Sequence, residues 1–218
     1  MPSGRLPSLR VTEIFASLQG ESTRAGIPTV FVRLTGCPLR CAWCDTEYAF
    51  RGGENLDLEA ILDDVAGHTL HYVCVTGGEP LAQPDCHTLL TALCDAGYSV
   101  SLETSGALDI SGVDPRVSRI VDLKAPGSGE AERNRYENIA YLTAHDEIKI
   151  VLADETDYQW AHQQITSLNL TQRCPVLLSP AAEHLDPVRL AEWIVRDRLP
   201  VRFQLQLHKV LWHNARGR

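Results

Sequence analysis

Short runs of β-forming residues alternate with helical patterns along this chain of 218 residues. Such alternation predicts an α/β fold in which parallel strands are joined by helical crossovers. The predicted strands are 11–17, 29–34, 72–76, 99–103, 119–123, 147–152, 176–179 and 202–207. The predicted helices are 58–66, 85–95, 135–142, 157–168 and 187–196. No repeat or long linker interrupts the pattern, so we expect one domain over residues 1–218.

Glycine or polar residues follow nearly every predicted strand. Gly36-Cys37 follows the second strand, Gly77-Gly78-Glu79 follows the third, and Thr104-Ser105-Gly106 follows the fourth. In parallel α/β sheets, ligands bind at the carboxyl ends of the strands. The sequence therefore predicts one ligand site along this edge of the sheet.

The composition indicates which partners to expect. Hydrophobic residues make up 44% and charged residues 22%, with a formal net charge of −8. No basic cluster precedes the short tail, so we expect no nucleic-acid surface. The apolar runs reach roughly four residues, whereas a membrane span needs about 20, and the amino terminus lacks the apolar core of a signal peptide. We therefore expect a cytoplasmic protein that does not bind membranes.

The chain has seven cysteines. Cysteines of a cytoplasmic protein are not expected to form disulfides. Cys74, Cys86, Cys94 and Cys174 are scattered within or beside apolar segments. Because free cysteine is among the most buried residue types, we expect these four to be core residues.

The other three cysteines are close together in the segment Cys37-Pro-Leu-Arg-Cys41-Ala-Trp-Cys44. Three thiolates at this spacing can wrap one [4Fe–4S] cluster, which normally takes four cysteine ligands. A fourth ligand is missing nearby, so one iron would stay open for a small molecule. S-adenosylmethionine (SAM) is the known occupant of such an open iron in radical chemistry, which proteins need a cofactor to perform.

Three alternatives compete for this cysteine segment. A structural zinc site would need a fourth ligand, and His68 and His71 are distant with no matching spacing. A thioredoxin-like pair of Cys41 and Cys44 would leave Cys37 unexplained. Core cysteines would not cluster in a loop that contains proline and arginine.

The chain resembles the radical SAM superfamily in two motifs, the three-cysteine segment and Thr76-Gly-Gly-Glu-Pro80. More closely, it is similar to the 7-carboxy-7-deazaguanine synthase family of the queuosine pathway. The segments that carry this similarity are Leu18-Gln19-Gly20-Glu21, Arg33, Cys44-Asp45-Thr46, Glu103-Thr104-Ser105-Gly106, Asp122-Leu123-Lys124 and Gln206-Leu207-His208-Lys209.

The resemblance implies a partial (β/α) barrel of the radical SAM type, reduced in size, in a homodimer. The family converts 6-carboxy-5,6,7,8-tetrahydropterin to 7-carboxy-7-deazaguanine with release of ammonia, a radical ring contraction in which SAM is regenerated. The implied cofactors are one [4Fe–4S] cluster per subunit, SAM and Mg²⁺. A flavodoxin-like or ferredoxin-like protein would donate the electron.

The resemblance also assigns binding residues, and none with a separate catalytic role. Cys37, Cys41 and Cys44 would hold the cluster, and Thr46 would bind Mg²⁺. The residues assigned to SAM are Gly78, Glu79, Ser105, Lys124, Ser179 and Pro180. The residues assigned to the pterin are Leu18, Gln19, Gly20, Glu21, Arg33, Thr76 and His208.

Elementary chemistry supports several of these assignments. Glutamine and glutamate can pair with the donor–acceptor edge of a pterin, and an arginine fork suits a carboxylate. Arg33 lies in a mostly apolar strand, so its charge needs an internal partner. The alternatives are a plain turn for Gly-Gly-Glu-Pro, a local turn for Asp45-Thr46, an ordinary ion pair for Lys124, a solvent-facing Arg33 and a structural His208.

Two departures from the family and two rival functions complete the prediction. Some relatives carry a long insertion between the first two cysteines, whereas this chain has the short spacing. The tail after Lys209 is longer here than in relatives whose terminal residue contacts the substrate, so that contact is not assigned to this chain. The rival enzyme is a glycyl-radical-enzyme activase, which would need a protein partner. The non-enzymatic rival is an iron–sulfur or zinc-binding regulatory protein.

Overall fold

The computed structural model describes residues 7–213 and 215–217, which form one sheet in the order β3-β1-β2-β4-β5-β6-β7-β8-β9. The strands are β1 Ser8–Leu18, β2 Pro28–Leu34, β3 Glu54–Asp57, β4 Tyr72–Gly77, β5 Ser99–Thr104, β6 Ser118–Asp122, β7 Glu147–Leu152, β8 Val176–Pro180 and β9 Arg202–Phe203. The helices are α1 Leu58–Gly67, α2 Cys86–Asp95, α3 Glu155–Ser167, α4 Pro187–Asp197 and α5 Leu207–Trp212. The predicted α/β class is confirmed.

The sheet is mostly parallel and stays open. Strand β2 is parallel to β4, and every neighbouring pair from β4 to β9 is parallel as well. Strand β1 is antiparallel to both β2 and β3. Its carboxyl end therefore lies on the side of the sheet where the parallel strands begin, opposite to their carboxyl ends. Strands β3 and β9 are the two edge strands, so the sheet does not close into a complete barrel.

The two faces of the sheet have different chemistry because side chains alternate along each strand. In β2, Val30, Val32 and Leu34 belong to the apolar core, whereas Phe31 and Arg33 line a cavity on the other face. The core face is covered by buried residues of the long helices, namely Ile61, Val65, Leu89, Leu90, Leu93, Tyr158, Ala161, Ile165, Leu190, Trp193 and Ile194. The inner face is thereby left free to carry polar residues.

The helices predicted over residues 58–66 and 187–196 are confirmed, and each begins after a capping aspartate, Asp57 or Asp186. The Asp57 carboxylate accepts a hydrogen bond from the Ala60 amide at 2.8 Å, and the Asp186 carboxylate accepts one from the Val188 amide at 2.9 Å. These bonds satisfy amides that have no partner within their helices.

The helix predicted over residues 135–142 is wrong in type, because Tyr136–Tyr141 is a 3₁₀ helix. Asn138 in this segment donates to the carbonyls of Gly106 and Leu108 at 3.0 and 2.8 Å and accepts from the Ile110 amide at 3.3 Å. The buried side chain of Asn138 thus ties the segment to the connection after β5, a long-range constraint that helical periodicity does not reveal.

The strand predicted over residues 202–207 is also wrong beyond Phe203. Strand β9 ends there, and helix α5 begins at Leu207. The Gln204 side chain exchanges two hydrogen bonds with the backbone of Ser22, and the Leu207 amide donates to the Gly20 carbonyl at 2.9 Å. The chain leaves the sheet because these groups bind the loop after β1 instead of continuing a ladder. The short edge strand β3 was not predicted.

Candidate functional site

A cavity of about 510 Å³ lies on the inner face of the sheet at the carboxyl ends of the parallel strands. The cavity lies where the sequence predicts the ligand site. The predicted site residues that line it are Leu18, Gln19, Gly20, Glu21, Arg33, Cys37, Cys41, Cys44, Thr46, Thr76, Gly78, Ser105, Lys124 and His208. The strands that contribute to this one cavity are β1, β2, β4, β5, β6 and β7.

Glu79, Ser179 and Pro180 are predicted site residues that lie behind this wall. Glu79 is fully buried, and its carboxylate accepts hydrogen bonds from Thr104 Oγ1 at 2.9 Å and from the Ser105 amide at 2.7 Å. Ser179 is also fully buried, and its hydroxyl has no hydrogen-bond partner among the described residues. Their predicted contacts with SAM stay predictions.

The cysteine loop follows β2 and packs directly on the end of β4. The Glu79 amide donates to the Gly36 carbonyl at 2.8 Å, and the Gly78 amide donates to the Leu34 carbonyl at 3.1 Å. A Cβ atom on Gly78 would lie 2.8 Å from Cys37 Cβ and still closer to the Gly36 carbonyl. Residue 78 must therefore be glycine for the two backbones to approach this closely.

The three thiols around this loop fit a cubane cluster better than a single ion. Cys37, Cys41 and Cys44 are free and partly exposed to the same cavity. No group of three or more His, Cys, Asp or Glu side chains within residues 7–213 and 215–217 converges on one metal ion. Convergence is not needed for a cubane, because each cysteine binds a different iron. Burial raises the pKa of the Cys37 and Cys41 thiols, and the Lys124 charge opposes this rise at both.

Thr46 lies on the cavity wall just after the loop. Its hydroxyl is 3.8 Å from Cys44 Sγ and makes no cap bond to the following 3₁₀ helix, Glu47–Phe50. The hydroxyl therefore does not cap this 3₁₀ helix, its one contact is with the neighbouring Cys44, and its role as a Mg²⁺ ligand stays a prediction. A hydroxyl beside water and a substrate oxygen is the kind of sparse ligand set that Mg²⁺ accepts.

Arg33 already has an internal anion. Its Nε donates to Glu13 Oε1 at 2.7 Å, and Tyr48 donates its hydroxyl hydrogen to the same oxygen at 2.8 Å. Burial alone would lower the pKa of Arg33, but Tyr48 and Glu13 keep it above its ordinary value. Within the described chain, the Nη groups of Arg33 have no hydrogen-bond partner, so the fork can still bind an anion in the cavity.

The loop after β1 crosses the inner face of the sheet. Gln19 and Glu21 therefore reach the cavity although β1 ends on the side where the parallel strands begin. Gln19 donates to Glu103 Oε1 at 3.3 Å, and Thr76 donates to Glu103 Oε2 at 2.9 Å. Thr23 donates to the Glu147 carboxylate on β7 from the same loop. Two predicted pterin residues are thus joined by Glu103, which no sequence argument assigned to the site.

A row of alternating charges lines the cavity opposite Arg33. Lys149 Nζ pairs with the Glu21 carboxylate and lies 3.4 Å from Asp122 Oδ2, which is 3.0 Å from Lys124 Nζ. Burial opposes each charge, but the opposite charges of the row hold the pKa of Asp122 below its ordinary value and those of Lys124 and Lys149 above theirs. Asp122, Lys124 and Lys149 are therefore ionised at neutral pH.

Helix α5 brings His208 against the loop after β1 and the cysteine loop. A Cβ on Gly20 would lie 3.0 Å from His208 Cγ, and His208 Nε2 is 3.8 Å from Asp45 Oδ2. Lys209 Nζ is 3.3 Å from the same carboxylate oxygen. Burial opposes the charge of Asp45, but the nearby His208 imidazole and the charges of Lys209 and Lys149 keep the pKa of Asp45 below its ordinary value. His208 lies in the first turn of a helix, not at the end of a strand as predicted.

Several cavity residues were missed by sequence reasoning, and one signal could have found some of them. Strand β7 reads Glu-Ile-Lys-Ile-Val-Leu, with a charged residue at alternate positions of an apolar strand. Such alternation places Glu147 and Lys149 on the inner face. Tyr48, which lines the cavity, and Glu13, which holds Arg33 from β1, carry no such signal, since their role depends on contacts that form only in the folded chain.

Known proteins match this chain over nearly its whole length. Residues 31–124 match the Radical SAM superfamily. The 7-carboxy-7-deazaguanine synthase of Chlorobaculum tepidum is 46% identical over 213 residues, which cover 96% of this chain and 97% of that protein. The enzyme of the same name from Koribacter versatilis is 43% identical over 219 residues, covering 94% of this chain and 97% of that one.

A solved structure has a similar fold. The crystal structure of QueE from Escherichia coli superposes with a TM-score of 0.75 at 24% sequence identity and covers 92% of this chain and 95% of that chain. At this identity the similarity concerns the fold. The family follows from the sequence relatives, and this chain is a radical SAM enzyme that belongs to the 7-carboxy-7-deazaguanine synthase family.

Proposed function

We propose that this protein is a 7-carboxy-7-deazaguanine synthase, which contracts a ring of 6-carboxy-5,6,7,8-tetrahydropterin with loss of one ammonia. The observation that carries the proposal is that one cavity holds both the three-cysteine loop and a polar wall around Glu21, Arg33 and Glu103. The overall change releases ammonia without net oxidation or reduction, so SAM can be returned unchanged at the end of the reaction.

The residues on the cysteine loop fit the cluster. Cys37, Cys41 and Cys44 would hold three irons, and Gly78 keeps the end of β4 tight against this loop. The bound cluster with SAM on its open iron supplies a radical that can abstract hydrogen from carbon. An electron donor is expected for such an enzyme, and we propose that it is a flavodoxin-like or ferredoxin-like protein.

The residues on the carboxyl ends of β4, β5, β6 and β8 would bind SAM. Gly78 leaves room for a backbone contact, and Lys124 and Ser105 present a cation and a hydroxyl to the cavity. The buried, unpartnered hydroxyl of Ser179, followed by Pro180, is the kind of group a ligand could satisfy. Glu79 would act on SAM through Ser105, because its own carboxylate is occupied by Ser105 and Thr104.

The pterin would bind on the opposite wall. Glu21 and Gln19 suit the donor–acceptor edge of the ring, and the free fork of Arg33 suits the carboxylate. Thr76 and His208 complete this wall, with Leu18 and Gly20 packing beside them. The ring would thus lie between an anionic group and a cationic group, with its reacting carbon facing the cysteine loop.

Three further features belong to the proposal. Thr46 would supply a hydroxyl ligand to Mg²⁺ next to the substrate carboxylate. The chain would work as a homodimer in the cytoplasm, where free thiols stay reduced. No helix in the described part of the chain is long and apolar enough to cross a membrane.

An anaerobic assay of reconstituted protein with SAM and reductant tests this function. We expect ammonia release that depends on added carboxytetrahydropterin. Cys41→Ala should abolish iron binding and turnover, whereas Cys94→Ala, which changes a cysteine of α2 outside the cavity, should retain both. SAM cleavage that ignores the pterin and releases no ammonia would contradict the proposal and would favour the glycyl-radical-enzyme activase, for which a protein partner would be sought.

A further inference from the structure

Lys149 is a buried cation on the inner face of β7, and no sequence pattern assigned it a role. Its side chain is 12% exposed, and its ammonium pairs with the Glu21 carboxylate. Asp122 Oδ2 lies 3.4 Å away on the neighbouring strand β6. A lysine held between two carboxylates in this way is fixed in position by charge as well as by packing.

The Glu21 carboxylate is held from two sides. One oxygen meets Lys149, and the other accepts a hydrogen bond from Gln206 Nε2 at 2.6 Å. Each carboxylate oxygen can accept a second hydrogen bond. The group therefore keeps two acceptor positions with a fixed orientation, which is what recognition of two adjacent N–H donors requires.

The charges around Glu21 explain why the cation is needed. Glu103 on β5, Asp122 on β6 and Glu147 on β7 place further carboxylates on the same inner face. Without Lys149, the Glu21 charge would be buried among like charges, and the side chain would leave its present orientation to reach water.

We propose that Lys149 is a positioning residue that orients the Glu21 carboxylate for the two-donor edge of the pterin. The proposal rests on the proposed function, since it specifies how the same cavity selects a 2-amino-4-oxo-pyrimidine ring. Such an edge presents an amino N–H and a ring N–H side by side, and one oriented carboxylate can accept both.

The geometry also separates pterin binding from SAM binding. Asp122 keeps Lys124 as a partner at 3.0 Å when Lys149 is removed, whereas Glu21 keeps only the neutral amide of Gln206 among the contacts described here. Removing the Lys149 charge should therefore disturb the predicted pterin wall more than the predicted SAM wall.

Calorimetric binding to the reconstituted holoenzyme, with SAM present and reductant omitted, tests the proposal without turnover. Lys149→Met should weaken carboxytetrahydropterin binding at least about thirtyfold, the lower end of the range for losing a buried charge partner. Its SAM affinity should change by less than about threefold. Lys149→Arg, which keeps the charge, should recover part of the loss, and in turnover Lys149→Met should raise KM more than it lowers kcat.

A double variant distinguishes positioning from general damage. In Glu21→Gln the carboxylate is gone, so adding Lys149→Met should weaken pterin binding little further. Arg119→Met is the matched control, because it removes a buried cation from the Arg119–Asp146 pair, which does not line the cavity. That control should lower thermal stability and leave pterin affinity unchanged.

The outcomes separate the two proposals. Pterin affinity in Lys149→Met equal to that of the wild type, or fully additive losses in the double variant, would overturn the role of Lys149 alone. A wild-type holoenzyme that binds no pterin would overturn the proposed function. If Lys149→Met does not fold by circular dichroism, Lys149→Gln replaces it, because it removes the charge that holds Glu21. Its pterin affinity should also fall, by less than expected for Lys149→Met since a donor remains, and an affinity equal to that of the wild type would overturn the role of Lys149.

Discussion

Gly78 lies so close to the cysteine loop that its replacement by alanine should destabilise the protein. In Gly78→Ala, the new Cβ would lie 2.6 Å from the Gly36 carbonyl carbon and 2.8 Å from Cys37 Cβ. Ordinary contacts between carbon atoms are about 3.5–4.0 Å, so the loop would have to retreat by about 1 Å. Both neighbours are backbone or the base of a side chain, and neither can rotate away.

The expected cost of this overpacking is about 1–3 kcal/mol. For a chain of this size, each kcal/mol shifts Tm by roughly 2–4 °C, so Gly78→Ala should lower Tm by about 2–12 °C. A displacement of Cys37 should also reduce the iron bound after anaerobic reconstitution. Both quantities are measured on the same sample, by thermal unfolding and by iron analysis.

Gly67→Ala is the matched control for this prediction. Gly67 lies at the end of helix α1, where a Cβ would meet nothing within 4 Å of the described residues. Alanine is favoured over glycine in a helix, so the control should keep or raise Tm by a few degrees and bind iron normally. Normal iron binding and unchanged Tm in Gly78→Ala would refute the argument that the loop needs glycine at this position.

Three other predictions follow from the same structure. Arg33→Ala should weaken pterin binding at least tenfold in calorimetry and leave SAM binding nearly unchanged, because its free Nη groups face the cavity; equal pterin affinity would remove Arg33 from the substrate site. Thr46→Ala should blunt the activation of turnover by added Mg²⁺ while the visible spectrum of the cluster stays intact; an unchanged Mg²⁺ response would leave Thr46 a structural role. Burial opposes the charge of Asp146, but its bonds to Arg119 hold its pKa below the ordinary value, so the pair contributes stability above about pH 4 that is lost as the pH falls further. Arg119→Met should therefore cost about 3 kcal/mol in urea unfolding at pH 7 and progressively less below pH 4, and a pH-independent cost would contradict this linkage.

Local sequence patterns predicted the architecture because each long element carries its own signal. The helix from Leu58 begins at a capping aspartate and presents an apolar face at regular spacing, so its start and type could be predicted. The segment after Phe203 could not be predicted, because its course depends on hydrogen bonds to the loop after β1, almost the whole chain length away. Long-range pairing of this kind leaves no trace in local periodicity.

The candidate site was predictable to a similar extent. The three cysteines of the loop after β2 and Gly78 stand out through the spacing of their motifs, and Arg33 stands out as a charge in an apolar strand. All five residues line the cavity. The partners that hold these groups, such as Glu13 for Arg33 and Lys149 for Glu21, become visible only in the folded sheet. The antiparallel β1 shows this most clearly, since Gln19 reaches the cavity through a loop that crosses the inner face.

The proposed function requires that the enzyme contracts the ring of a pterin bound in this cavity. The most direct measurement is mass spectrometry of the product formed anaerobically from 6-carboxy-5,6,7,8-tetrahydropterin, together with the ammonia released. We expect 7-carboxy-7-deazaguanine and ammonia in equal amounts, with SAM not consumed in proportion to product. Unchanged pterin alongside stoichiometric cleavage of SAM would contradict it.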